Sequence, residues 1–321
     1  MDNEKSSYIA FCASDKAASL SLFMHAAWLD AVCTEGSWNV ALARDKTGEI
    51  TAAMTYKTYR KWGLTSITEP PLSPFAGVWL REKTFNKQYA AYFYVKNALT
   101  ELAQQLPKVH RAVLRTHFSL KDAQPFYWAD WLTTVRYTYV LDLKNKKTIY
   151  DNFNDNTQRN IRKCTQYLNI VKSNDIHKFV EINDLTYQRQ NMKNPIPNDI
   201  WLKADTFLRE NGQKNIYFAL NTEGGVEGAI YIIYDKKTAY YMGGSATEKG
   251  RKEGAMHGLL WQAIQEAAAE KECTFFDFEG SMLHGVEPFF RGFGGELTPY
   301  IQISKYTVFA NLLSILRKFF S

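Results

Sequence analysis

What this chain lacks narrows its reading first. Its four cysteines, Cys12, Cys33, Cys164 and Cys273, stand far apart and form no CxxC pair, so neither a disulfide framework nor a thiolate metal site is expected. The six histidines show no HExxH or paired-ligand spacing, and no metal is assigned. Nowhere do ~18 uncharged apolar residues run together, which argues against a membrane-spanning helix. The first residues, MDNEKSSY, carry charge and no apolar signal-peptide core, and a cytoplasmic location is expected.

What is present is ordinary in bulk. The 321 residues suffice for two domains with separate cores, and 45% hydrophobic with 22% charged residues is usual for a globular protein. The formal charge of +6 is a mild bias toward anionic partners such as phosphates, RNA or a membrane surface, and no DNA partner is expected. Eight Trp and 19 Tyr point to large cores.

Taken in order, Leu20 to Cys33 predicts a helix containing Trp28-Leu29. Strands follow at Trp38 to Ala43 and Ile50 to Arg60, joined at Lys46-Thr47-Gly48, and a third runs from Leu64 to Thr68. The proline-rich loop Glu69 to Gly77 is too rigid for helix or sheet. A long helix near Asn86 to Leu106, a strand at Val109 to Leu114, a short helix at Pro125-Phe126-Tyr127 and a strand at Thr134 to Leu143 complete the first half. The second half repeats this order. Trp201-Leu202 answers Trp28-Leu29. A hairpin, a strand at Tyr240 to Met242, a helix at Ala255 to Glu270 and a strand at Thr274 to Phe278 follow. Pro288-Phe289-Phe290 with Phe293 then answers Pro125-Phe126-Tyr127 with Trp131. The expectation is a duplicated α+β domain, 1–145 and 146–321, divided at the basic linker Lys144 to Lys147. The second domain closes with an amphipathic helix bearing Val308, Phe309, Leu312, Leu313, Leu316, Phe319 and Phe320. That stripe either docks on the first domain or touches a membrane surface with help from Arg317 and Lys318.

The unusual chemistry is concentrated between Cys273 and Lys305. A buried strand stops at the turn-forming Glu279-Gly280-Ser281, a short helix ends at Gly292, Gly294 and Gly295, and a last strand reaches Lys305. Two carboxylates, Asp277 and Glu279, and two cations, Arg291 and Lys305, thus stand at element ends. Arg159, Arg162 and Lys163 fall at i, i+3, i+4 on one helix face. Tyr59, Arg60 and Trp62 sit beside the proline loop, where they could stack on a sugar or uracil.

Each half resembles the GNAT superfamily of acyl-CoA N-acyltransferases, which implies two tandem GNAT-like domains, each a mixed, mostly antiparallel sheet flanked by helices. In that fold the loop entering the long helix offers amides and a positive dipole end to a pyrophosphate. Lys249 to Ala255 partly matches that loop, which makes Arg251, Lys252, Gly254 and Ala255 donor-phosphate candidates. Met256 departs from the pattern, and the first half has its proline loop there instead.

Phe276-Asp277-Phe278-Glu279-Gly280-Ser281, then Gly285-Val286-Glu287 through Phe289-Phe290-Arg291, Phe293-Gly294-Gly295 and Pro299-Tyr300, are similar to the Fem-like, "methicillin resistance" group of peptidyltransferases. Pro70 to Gly77 and Thr157 to Lys163 are similar to it too. No sustained heptad pattern between Asn152 and Asn211 matches the coiled-coil arm of some members. The resemblance implies transfer of an amino acid from aminoacyl-tRNA to an amine of a peptidoglycan precursor. For that chemistry Asp277 or Glu279 is the candidate base or amine-positioning group. Lys305 is the candidate for the oxyanion or the terminal-adenosine phosphate. Arg291 would clamp a phosphate or carboxylate, and Arg159, Arg162 and Lys163 would meet the tRNA acceptor end. Plainer roles stand beside these: Asp277 as a turn cap, Arg291 paired with Glu287, and Lys305 and the Arg159 face as solvated surface. No cofactor is required. The alternatives are an acetyl-CoA or other acyl-CoA donor, and a non-catalytic binding module.

Overall fold

The computed structural model describes residues 2–33, 37–189, 191–280 and 282–307. The expected C-terminal amphipathic helix, and with it the membrane contact assigned to its stripe, lies outside these residues. The chain forms two compact units, one ending at Arg136 and taking the chain back from Pro299, the other Tyr137–Thr298.

The first unit opens with α1 (Asp2–Cys12), which the apolar pattern did not announce because only its Tyr8 and Phe11 are deeply buried apolar side chains. The Tyr8 hydroxyl donates to the Met24 carbonyl at 2.9 Å and ties the helix down. The helix expected from Leu20 is shorter, with a 3-10 turn at Leu22–Met24 followed by α2 (Ala26–Val32). Strands β1 (Trp38–Arg44), β2 (Ile50–Lys61), β3 (Leu64–Thr68) and β4 (Val78–Leu80) follow, then α3 (Gln88–Gln105), β5 (Arg111–Arg115), α4 (Gln124–Trp128) and β6 (Leu132–Asp142). The β1–β2 hairpin turns at Gly48, whose φ of 85° suits a residue without a Cβ, while the Asp45 carboxylate accepts from the Thr47 and Glu49 amides.

The second unit adds α5 (Asp155–Tyr167), β7 (Asn169–Ser173), α6 (Ile176–Arg189), α7 (Asn198–Glu210), β8 (Lys214–Leu220), β9 (Val226–Asp235) and β10 (Thr238–Ala246). Then come α8 (Glu248–Lys252), α9 (Ala255–Ala269), β11 (Phe275–Asp277), α10 (Glu287–Arg291) and β12 (Glu296–Tyr306). Trp28 and Trp201, matched across the repeat, are both fully buried, as are Phe126 and Phe293 in the matching short-helix regions.

Strand pairing crosses the halves of the sequence. In the first unit the order is β1-β2-β3-β5-β12, with β4 beside β2; in the second it is β6-β11-β10-β9-β8-β7. β12 therefore completes the first unit's sheet, with Gln302 opposite Arg115 through Tyr306 opposite Arg111. β6 flanks β11, with Phe275 opposite Asp142 and Asp277 opposite Val140. Both exchanged strands have 11 residues and hold equivalent places in the repeat, so each can replace the other. Their inward residues are core: Ile303 is fully buried with Leu99, Leu102 and Leu114, and Leu141 is buried with Leu259, Phe276 and Phe278.

In the second unit α5 lies across the start of α9 with almost no side chain between them. A Cβ on Gly254 would come 2.3 Å from the Asn160 carbonyl oxygen, and one on Gly258 would come 2.3 Å from Cys164 Sγ. Gly254 also holds φ at 79°, a left-handed conformation costly for any other residue.

Two outcomes are expected. Gly258→Val loses about 1–3 kcal/mol of stability by overpacking, read as a lower urea midpoint with unchanged slope. A chain stopped after Asn145 lacks β12, leaves β5 as an unpaired edge and removes Ile303 from the core. It should give a poorly dispersed amide NMR spectrum or aggregate, and a folded, monomeric fragment would refute the exchange as a stabilising feature.

Candidate functional site

The second unit's sheet opens at one point. β10 and β11 pair in parallel for only three positions, Thr238 with Phe275, Ala239 with Phe276 and Tyr240 with Asp277. β11 ends there, while β10 continues to Ala246 against β9. Beyond Asp277 the chain stays with β6: the Phe278 amide donates to the Tyr139 carbonyl at 3.1 Å, and a Cβ on Gly280 would come 2.4 Å from Thr138 Cα. Glu279 between them takes φ 55°. β10 meanwhile bulges at Met242, where the register passes from Tyr241 opposite Ile232 to Gly243 opposite Tyr231. Tyr241 to Gly244 are half-buried, whereas the residues on either side of them in the strand are buried, so solvent reaches the backbone at the bulge.

Asp277 stands where the strands part. It is buried, and its Oδ1 accepts from Thr138 Oγ1 at 2.6 Å and from the Glu279 amide at 2.9 Å. Burial raises its pKa to about 6, against the opposing pull of those two donors. Tyr240, its register partner, is held protonated by burial first and then by the charges of Asp277, Asp235 and Glu279. Thr138 and Tyr240 stand beside Asp277 at the candidate site, and sequence reasoning missed both. Thr138 lies 139 residues from Asp277, and nothing in the local pattern of either strand joins them.

The other candidates fall into three groups. Arg291 Nε donates to Glu287 Oε1 at 2.9 Å, one turn back, and the Tyr139 hydroxyl donates to the same oxygen. This is the Glu287 pairing expected beside the clamp role, and it engages Nε of a side chain that is otherwise exposed. In the loop entering α9, Lys252 pairs with Glu248 at 2.8 Å, Gly254 is pressed against Asn160 and the Ala255 side chain is fully buried. Arg251 and Lys252 are both exposed, and Arg251 Nη1 donates to the Ala246 carbonyl at 3.2 Å. Arg159, Arg162 and Lys163 are exposed on α5, with Arg159 bonded to Asn156 at 2.6 Å. Asn160 of this helix abuts Gly254, while Arg159, Arg162 and Lys163 lie on the face turned away from the buried Thr157, Ile161 and Cys164.

Lys305, Tyr59 and Arg60 belong to the first unit. Lys305 Nζ donates to the Ala129 carbonyl at 2.8 Å and lies over the Trp131 ring, so it closes the end of α4 and does not share a unit with Asp277 and Glu279. The Tyr59 hydroxyl accepts from Arg111 at 2.9 Å, and Arg60 is exposed at the end of β2. In this unit the corresponding opening is plugged. β3 and β5 pair only at Ser66–Arg111 and Ile67–Ala112, and the proline loop then inserts, with the Ala76 amide donating to the Arg115 carbonyl at 2.7 Å. Leu72, Ser73, Phe75 and Ala76 are all buried there. Among the described residues no helix is long and apolar enough to cross a membrane, and no three metal-ligating side chains are grouped.

Comparison with known proteins agrees with this geometry. Residues 152–291 match the acetyltransferase (GNAT) domain family. No curated protein sequence matches the chain. Among solved structures, FemX is similar at TM-score 0.62 with 12% identity, covering 92% of this chain and 95% of its own. L-PGS from Bacillus licheniformis is similar at TM-score 0.55 with 10% identity, covering 98% and 94%. A tandem GNAT protein from the clavulanic acid biosynthesis pathway is similar at TM-score 0.53 with 11% identity, covering 95% of each. The Fem-like, duplicated resemblance expected from the sequence is met at the level of the fold: the chain is an α+β protein of the tandem GNAT fold.

Proposed function

We propose that the second unit is an acyl-transfer site and that the protein moves an amino acid from aminoacyl-tRNA to an amine of a peptidoglycan precursor. The observation that carries this reading is the early end of the β10–β11 ladder, with a buried, weakly acidic Asp277 at the fork and a bulge at Met242 beside it. An attacking amine must give up a proton, and a carboxylate with a pKa near 6 is ionised at neutral pH yet a better base than a solvated one. The amine nitrogen forms its bond to the ester carbonyl carbon, the bond to the ribose oxygen breaks, and the proton passes to that oxygen. Tyr240, kept neutral, stands beside Asp277 as a donor and not as a second anion. Glu279, half-buried two residues on, is suited to orient the incoming ammonium.

The donor's phosphates fall to Arg251 and to Arg159, Arg162 and Lys163. Arg291 and Lys305 keep the structural bonds described above. Support for an aminoacyl donor comes from the shared fold with FemX and with the C-terminal domain of a putative lysylphosphatidylglycerol synthetase from Agrobacterium fabrum, at TM-score 0.55 and 12% identity, whose name denotes a product bearing a lysyl group. Aminoacyl-tRNA as donor also agrees with a cytoplasmic place of work. A second reading, an acyl-CoA donor, is favoured by the acetyltransferase domain match over the loop that enters α9.

Purified protein supplied with tRNA charged with labelled amino acids and with a peptidoglycan precursor should transfer label to the precursor. No transfer from any charged tRNA, together with tight calorimetric binding of acetyl-CoA, would replace this reading with the second. Asp277→Asn, which keeps both hydrogen bonds to Oδ1, should lower kcat by ~10²–10⁴ and remove the rise in rate between pH 5 and 7. A carboxyl whose folded pKa is raised lets the native state hold more protons than the unfolded chain between pH 4 and 6. Wild-type stability should therefore fall as pH rises through that window, and the melting temperature of Asp277→Asn should not follow.

A further inference from the structure

One polar residue interrupts the apolar face of α6. Ile176, Phe179 and Val180 fall at i, i+3 and i+4 and are buried, and Asn183, at i+7 on the same face, is buried with them at 4% exposure. Its side-chain amide makes no hydrogen bond among the described residues. An amide left unpaired in a core is costly, so its presence in an apolar stripe asks for a reason. The amide faces the bulge in β10. Its Oδ1 lies 3.4 Å from where a Cβ on Gly243 would stand, and Trp201 Cη2 and Cζ2 lie 3.7 and 3.8 Å from the same point. Gly243 follows Met242, stands opposite Tyr231 and is half-buried. With no side chain at position 243, the space ahead of the amide is open to the solvent that reaches the bulge. Trp201 Nε1, in the same corner, also lacks an acceptor and is sealed from solvent, whereas the Asn183 amide is not sealed. Indole and amide therefore do not satisfy each other.

We infer that Asn183 is a specificity residue of the second unit, whose amide reads the α-amino group and the carbonyl of an incoming aminoacyl ester across Gly243. An asparagine presents an acceptor, Oδ1, beside a donor, Nδ2. An aminoacyl ester presents the complement on neighbouring groups: its amino N–H donates to Oδ1, and its carbonyl oxygen accepts from Nδ2. A plain acyl group offers the carbonyl alone and leaves Oδ1 unpaired, a loss that a buried polar site penalises heavily. Gly243 lies three residues beyond Tyr240, the register partner of Asp277, which is about 10 Å along an extended strand. That span leaves room for an amine and the carbonyl it attacks between the Asp277 carboxylate and the Asn183 amide. The aminoacyl ester as ligand rests on the acyl-transfer reading; the unpaired amide at Gly243 stands on its own contacts.

Calorimetric titration of the full chain tests it with two probes: a short CCA-ended RNA carrying an amide-linked alanine at its 3′ end, and the same RNA carrying a propionyl group, which lacks only the amine. Wild type should bind the alanyl probe about tenfold more tightly than the propionyl probe. Asn183→Leu should bind the two alike. Gly243→Ala, whose methyl would make ordinary contacts with Asn183 and Trp201, should lose the preference too, by covering the amide. Neither variant should melt below wild type, because leucine removes an unpaired polar group and alanine meets no clash. An asparagine kept for structure would instead give a lower melting temperature when replaced. Lys178→Ala, on the same helix but paired with Glu181, is the control and should keep the preference. The inference is overturned if wild type binds neither probe or binds both alike, or if the preference survives Asn183→Leu. Transfer from charged tRNA by a protein without this preference would sink the role of Asn183 and leave the acyl-transfer reading standing. A preference that depends on Asn183, in a protein that transfers nothing, would support the amide site and sink that reading.

Discussion

The second unit depends on a ladder that stops. β11 gives three residues to its pairing with β10, after which Gly280 lets the chain press against Thr138 on the other side. A side chain at position 280 would push that segment away from β6 and toward β10. The fork, the burial of Asp277 and the exposure of the bulge at Met242 all follow from this one choice of neighbour. The raised pKa of Asp277 then needs no special device: burial makes its carboxyl costly to ionise, and the two hydrogen bonds it accepts offset only part of that cost.

The first unit shows what the same arrangement becomes when the opening is filled. Its two parallel strands also part after a short ladder, but the proline loop enters the gap and spends its amide and carbonyl groups on β5 and β2. The Ala76 amide meets the Arg115 carbonyl, and the Thr55 amide meets the Gly77 carbonyl. Prolines suit a segment that must be rigid and carries few amide donors, and Trp28 Nε1 fixes it further by donating to Ser73 at 3.0 Å. One opening is thus exposed and the other plugged.

The repeat was legible because it is written in core residues. Trp28 and Trp201, or Phe126 and Phe289, sit where local periodicity places them, so matching their order recovers matching elements. α1 was not legible, because two buried aromatics on an otherwise polar helix leave no stripe. The site was legible by half. Asp277 could be picked out as a charge at the end of an apolar strand, whereas Thr138 and Tyr240 look like any strand residues until the sheet brings them together. Lys305 and Arg291 were chosen for the same reason as Asp277, and each donates a hydrogen bond the sequence pattern does not show, Lys305 to the Ala129 carbonyl and Arg291 to Glu287. Residue type shows what a side chain can do; only its neighbours show what it has already been given to do.

The exchange of β6 and β12 has a bearing on how the chain comes to be folded. The Thr116 amide and hydroxyl both bond to the Ile301 carbonyl, 185 residues away in sequence. Synthesis delivers the first unit's strands in order up to β5 and then must wait for nearly all the remaining chain before that sheet can close. The second unit has its flanking strand β6 in hand from the start and can close as soon as β11 emerges. The half made first is therefore finished last, and in the interval its β5 edge is the stretch most exposed to pairing with another chain.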